Sequence, residues 1–138
     1  SIEALRAGLA RRGVAKETAL VFTSDHGENL GKHELYFHHG SLYAETLHVP
    51  LLIHVPWKKP ARINGWTQTL DIAPTVLALA DLPMWQPHRG INLIDVAEGR
   101  TPARQEAFSE HLFAQLAAVR SDSGTLITHL RTTGQFPA

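Results

Sequence analysis

Two side chains able to share a cation, Asp25 and His26, stand side by side where an apolar run ends, in Thr23-Ser24-Asp25-His26-Gly27-Glu28. A carboxylate oxygen and a neutral imidazole nitrogen are both ordinary ligands of divalent metals. Sequence neighbours can reach one ion together only where the backbone bends sharply, and Gly27 is expected to permit that bend. Five of the nine histidines, at 26, 33, 38, 39 and 48, fall in this stretch and the loop after it, which concentrates ligand and proton-transfer chemistry there. Imidazole favours transition metals and oxygen favours calcium, so the pair alone leaves the metal open.

The elements that must position these groups follow from pattern. Ala19-Leu20-Val21-Phe22 is short, apolar and bounded by polar residues, which predicts a buried strand of a parallel sheet, and residues 49–55 predict a second. Ligands of such sheets bind beyond the carboxyl ends of the strands. Ile2, Leu5 and Leu9 recur at helical spacing and Gly13 stands where the helix would stop. Residues 41–47 predict a short helix, and residues 56–66, rich in Pro and Lys, a linker. Asp71 is expected to cap a helix with Pro74 in its first turn, burying Ile72, Val76, Leu79 and Ala80. Residues 83–102 read as loop. Residues 106–112, 115–120 and 125–130, with turn residues at Ser121-Asp122-Ser123-Gly124, predict a small antiparallel sheet.

Composition narrows the function classes. The 138 residues, 43% of them hydrophobic, can bury a core. Thirteen basic and thirteen acidic side chains cancel without a polybasic run, which argues against nucleic acid as a partner. No stretch reaches the roughly 18 apolar residues of a membrane span.

The sequence resembles the sulfatase branch of the alkaline phosphatase superfamily, and the likeness extends well past the Asp-His turn. The segment from His38-His39-Gly40 through Leu42-Tyr43-Ala44-Glu45 to Val49-Pro50-Leu51-Leu52-Ile53 is similar to the family's Lys/His-Gly, Tyr-Glu and Val-Pro-Leu pattern, with Ala44 where Glu is common. Asp71-Ile72-Ala73-Pro74-Thr75 with Asp81-Leu82-Pro83, then Arg89-Gly90-Ile91-Asn92-Leu93, then Ala107-Phe108-Ser109-Glu110, follow in the family order. Many sulfatases carry Asn after the metal-binding Asp. His26 agrees instead with phosphonate hydrolases and with the wider superfamily, where Asp-His binds zinc.

The resemblance implies an α/β fold: part of an alkaline-phosphatase-like parallel sheet with flanking helices over residues 1–102, then the start of a small antiparallel subdomain over 103–138. It implies hydrolysis of a small-molecule or saccharide sulfate ester. Asp25 and His26 would be ligands of one divalent metal, calcium foremost with manganese or zinc as alternatives, and His39 would contact the sulfate and the leaving oxygen. The family nucleophile is a formylglycine made from Cys or Ser in Cys/Ser-x-Pro-x-Arg. This chain has no Cys, and none of its serines fits that motif, so the nucleophile is expected upstream and the chain reads as a carboxyl-terminal piece, inactive alone. Two other expectations stand beside this one: a phosphonate monoester or phosphodiester hydrolase using the same site, and a non-catalytic metal-binding module. Lesser roles fall to His33, His38 and His48 as ligands or proton carriers, to Glu28 and Glu45 as supports of the ligands, and to Tyr43 as a packed side chain.

Overall fold

The computed structural model describes residues 1–84 and 87–130, with the side chain of His38 outside the described set. Helix α1 (Ile2–Arg11) starts at Ser1, whose Oγ accepts the Ala4 N–H at 3.3 Å. The chain leaves the helix through Gly13 at φ 74°. The stripe expected to bury one face stays open, because no residue of α1 is buried and Ile2 and Leu5 are exposed.

Strand β1 (Leu20–Thr23) precedes a two-residue β2 (Asn29–Leu30), β3 (Tyr36–His38), the one-turn helix α2 (Ala44–Leu47) and β4 (Leu51–His54). The first correction concerns direction. β1 and β4 are antiparallel neighbours, Leu20 opposite His54 and Thr23 opposite Leu51, where parallel strands were expected. A continuous apolar run reports burial potential on both faces and carries no information on strand direction. The pairing has a consequence for the site: residues 24–50 leave and return at one end of the sheet, so all five clustered histidines belong to a single excursion. β2 pairs with β3 inside it.

Helix α3 (Ile72–Leu79) is preceded by a turn of 3-10 helix at Thr69–Asp71. Asp71 occupies the cap position, but its side chain makes no capping bond to α3. It is buried and turned elsewhere: Oδ2 accepts the Gln68 N–H at 2.9 Å, Oδ1 the Ile91 N–H at 2.9 Å, and Oδ1 the Arg104 guanidinium at 2.6 Å. The buried face of α3 is also not the expected one. Pro74 and Thr75 are buried, whereas Val76 and Ala80 are exposed. Thr75 Oγ1 donates to the Asp71 carbonyl at 2.6 Å and accepts the Leu93 N–H at 2.9 Å, which draws the next segment onto α3.

That next segment contains helix α4 (Leu93–Ala97), where the sequence was read as loop. Its signals were local: Asn92 Oδ1 caps the Ile94 N–H at 3.0 Å, and Gly99 takes φ 74° after the helix. The predicted antiparallel sheet is present as β5 (Glu106–His111), β6 (Leu116–Ser121) and β7 (Gly124–His129), in that order. Among the described residues, Leu42, Val55, Leu93 and Ala118 form the buried hydrophobic core. Links from the last sheet and its approach to the rest include Arg104 to Asp71, the Trp66 N–H to the Arg104 carbonyl at 3.2 Å, Gln68 Nε2 to the Phe108 carbonyl at 2.7 Å, Trp66 Nε1 to Asp122 Oδ1 at 3.0 Å, and Arg120 Nη2 to the Leu42 carbonyl at 3.3 Å.

Candidate metal and active site

The turn after β1 is built by its own short side chains. Ser24 Oγ donates to the His26 carbonyl at 2.8 Å, and the His26 N–H donates to Asp25 Oδ1 at 2.9 Å. That backbone donor, ahead of the charge of the neighbouring imidazole, holds the Asp25 carboxyl below its ordinary value. Its side chain is 86% exposed, so the carboxylate stands charged and open to solvent.

Gly27 is needed here for a different reason from the expected one. Its φ lies outside the left-handed region, and its N–H donates to the Thr46 carbonyl at 2.7 Å. A Cβ at this position would collide with the carbonyl oxygen of Glu45. Glycine therefore permits a close approach of two backbones and not a turn.

His26 is oriented from behind. Its Nδ1 lies 2.7 Å from the Gly27 carbonyl, and a carbonyl only accepts, so Nδ1 carries a proton and, in the neutral ring, Nε2 is the nitrogen with the free lone pair. Nε2 is 3.7 Å from Asp25 Oδ2. Two donors each about 2.0–2.3 Å from one ion lie at about this separation, so the pair fits a shared cation. Among the described residues no group of three or more His, Cys, Asp or Glu side chains could hold a metal ion.

His39 joins the pair: its ring stacks on that of His26 with centroids 4.3 Å apart and planes inclined by 18°. All three sequence-predicted site residues thus meet. They open into a cleft of about 1150 Å³ that runs along β4 toward β5, with His48, Glu110 and Arg120 on its walls.

The other candidates divide. His33 stacks on Tyr43 at 3.7 Å and lies 4.0 Å from Glu45. Glu45 pairs with Lys32 at 2.7 Å and supports the loop instead of a ligand. That partner holds the Glu45 carboxyl below its ordinary value, and Glu45 in turn raises the Lys32 ammonium. No hydrogen bond or ion pair joins Glu28 to Asp25 or His26 among the described residues. The His38 side chain lies outside the described residues. Reading by residue type did not reveal Asn29, Ser41 and Thr46, which form a buried polar knot beneath the turn, because nothing in their spacing sets them apart from ordinary loop and helix residues.

Comparison with known proteins follows this geometry. A sulfatase family profile matches residues 1–82. Arylsulfatase K of Gallus gallus is 37% identical over 94 residues, covering 64% of this chain and 17% of the relative. A choline-sulfatase of Rhizobium meliloti is 31% identical over 118 residues, covering 81% of this chain and 23% of the relative. In three dimensions a phosphonate monoester hydrolase from Silicibacter pomeroyi superposes with a TM-score of 0.82 at 27% identity, over 95% of this chain and 30% of that one. The chain therefore spans under a third of the length of each of these proteins.

Proposed function

The chain belongs to the sulfatase family, and from that premise we propose that the protein carrying it hydrolyses sulfate monoesters, with Asp25 and His26 as two ligands of a divalent cation and His39 as the donor toward the leaving oxygen. The observation that carries this reading is the 3.7 Å spacing of Asp25 Oδ2 and His26 Nε2, with the Nδ1 bond to Gly27 making Nε2 the lone-pair nitrogen of the neutral ring. When bound, such a cation draws negative charge from ester oxygens. Calcium is the foremost candidate from the family resemblance, and the carboxylate and imidazole donors also suit manganese and zinc.

The chain's own residues then have distinct tasks. Asp25 presents an ionised oxygen, held in place by the His26 N–H and Ser24 Oγ. His26 presents a fixed lone pair. His39, stacked on His26, directs a ring N–H at the oxygen on which charge grows as the ester bond breaks. The attacking group belongs outside these 138 residues, a formylglycine being the family's usual solution.

A second reading keeps the site and changes the ester. A phosphonate monoester carries a tetrahedral anionic centre of the same kind, and the hydrolase that superposes at TM-score 0.82 acts on that class. The experiment is to purify the full-length protein, measure bound metal, and compare kcat/KM for aryl sulfate and aryl phosphonate monoesters in the wild type, Asp25→Asn and His26→Ala. Metal and turnover should fall together in both variants. Unchanged metal content would remove the ligand assignment, and a preference for the phosphonate would select the second reading.

A further inference from the structure

Three buried or half-buried polar side chains lie under the site and touch neither ester nor cation in the reading above. Asn29 is fully buried and Thr46 nearly so, and Ser41 is half-buried. The Asn29 amide donates to Thr46 Oγ1 at 2.9 Å and to Ser41 Oγ at 3.2 Å, and the two hydroxyl oxygens are 2.8 Å apart. The three groups close a ring in which both amide hydrogens have an acceptor and one hydroxyl donates to the other.

The members of this ring come from the three segments that must agree for the site to exist. Asn29 follows His26 by three residues on β2. Ser41 follows His39 by two. Thr46 belongs to α2, and its carbonyl accepts the Gly27 N–H at 2.7 Å, so it grips the Asp-His turn through its backbone and the other two segments through its hydroxyl. The Lys32–Glu45 pair and the His33–Tyr43 stack tie residues 32 and 33 to the same helix but reach neither His26 nor His39.

We propose that Thr46, with Asn29 and Ser41, is a positioning device that holds the His39 ring against His26, so that the donor to the leaving oxygen and the metal ligand keep one fixed relation. The device rests on the hydrolytic reading for its effect on rate, though not for its effect on geometry. A buried amide deprived of its acceptor rearranges to find another. The Thr46 carbonyl still holds Gly27 beside His26, so the segment that moves is the one that carries Ser41 and His39, and displacement of a reacting group by about 1 Å costs on the order of 10²-fold in rate.

The test uses the full-length protein with its metal and three variants: Thr46→Val, which keeps shape and removes the hydroxyl, Thr46→Ser, which restores it, and Ser41→Ala, a milder cut at a half-buried position in case the first fails to fold. Thr46→Val should lower kcat by roughly 10- to 10²-fold, leave bound metal unchanged, and steepen the dependence of rate on leaving-group pKa as His39→Ala does. Thr46→Ser should return both rate and slope toward wild type, and Ser41→Ala should shift the slope in the same sense by less. A loss of melting temperature with an unchanged slope in the folded fraction would make the knot merely structural and overturn the proposal. If the wild type hydrolyses neither sulfate nor phosphonate esters, the functional reading fails instead. The positioning claim is then decided by a crystal structure of the Thr46→Val or Ser41→Ala protein: displaced rings support it, and rings still stacked at wild-type separation overturn it.

Discussion

At the scale of single residues, the site depends on a carboxylate, an imidazole and a second imidazole that touch. His39 has an exposed ring stacked on His26 and contributes little to the buried interior. His39→Ala should therefore leave the melting temperature nearly unchanged while lowering kcat by roughly 10²–10³-fold, the usual effect of deleting one donor to developing charge. Esters with good leaving groups should lose least. Parallel melts and turnover assays on aryl esters of graded acidity check this, and an equal loss for all of them would reassign His39 to binding the anionic group. Gly27 makes a second residue-scale prediction. Gly27→Ala should reduce metal affinity and melting temperature together, because its methyl must displace the Glu45 carbonyl, next in the chain to the Thr46 carbonyl that holds the turn.

At the scale of elements, α2 is too short to be stable on its own, and its value lies in what is strapped to it. Lys32 and Glu45 tie the β2–β3 loop to this turn, and the sign of their pH dependence is fixed by their shifts. Glu45 is held below its ordinary 4.5, so its contribution is present above that value and is lost as pH falls through the lower folded value. Lys32 is raised above its ordinary 10.5, so its contribution is present below that value and is lost as pH rises through the higher one. The small stability difference between wild type and Glu45→Gln should therefore persist from neutral pH to mildly alkaline pH and vanish in acid, as thermal melts across that range would reveal. The Asp71–Arg104 pair is the stronger clamp between elements, with Asp71 fully buried and Arg104 only 22% exposed. Arg104→Met leaves a buried carboxylate with only backbone donors and should cost about 3 kcal/mol in denaturant unfolding. A cost under 1 kcal/mol would mean that the Gln68 and Ile91 amides suffice.

At the scale of the whole molecule, the two-stranded β1–β4 sheet is bare where a sheet is normally covered. Phe22 and Leu52 face one another across the strands and are 46% and 59% exposed. Apolar side chains on a sheet with free edges invite pairing with another chain. The 138 residues made alone are expected to self-associate, and Phe22→Lys with Leu52→Lys should shift the species seen by size exclusion with light scattering toward monomer. The same preparation should show no enzyme-like turnover, since it carries only the two proposed metal donors and no nucleophile of the kind proposed. Multiple turnovers that survive repurification and disappear in Asp25→Ala would contradict this.

What the sequence determined by itself is what depends on near neighbours. The Asp-His turn after β1, helix α1 and the three carboxyl-terminal strands with their Asp122-Ser123 turn all follow from periodicity and turn chemistry over a few residues, and each is present. Helix α4 has local signals of the same kind in Asn92 and Gly99, but its five residues are too few to show a period. The tertiary structure alone decided which distant groups meet. It made β1 and β4 antiparallel, gave Gly27 a carbonyl to clear, and sent the Asp71 carboxylate to Arg104, thirty-three positions away, instead of to the helix it precedes. It also joined Asn29 to Thr46 across seventeen positions. Hydrophobic spacing tells a residue which face to bury, but the partner of a buried polar group is chosen by the packing of the whole chain, where each hydrogen bond must be closed at once.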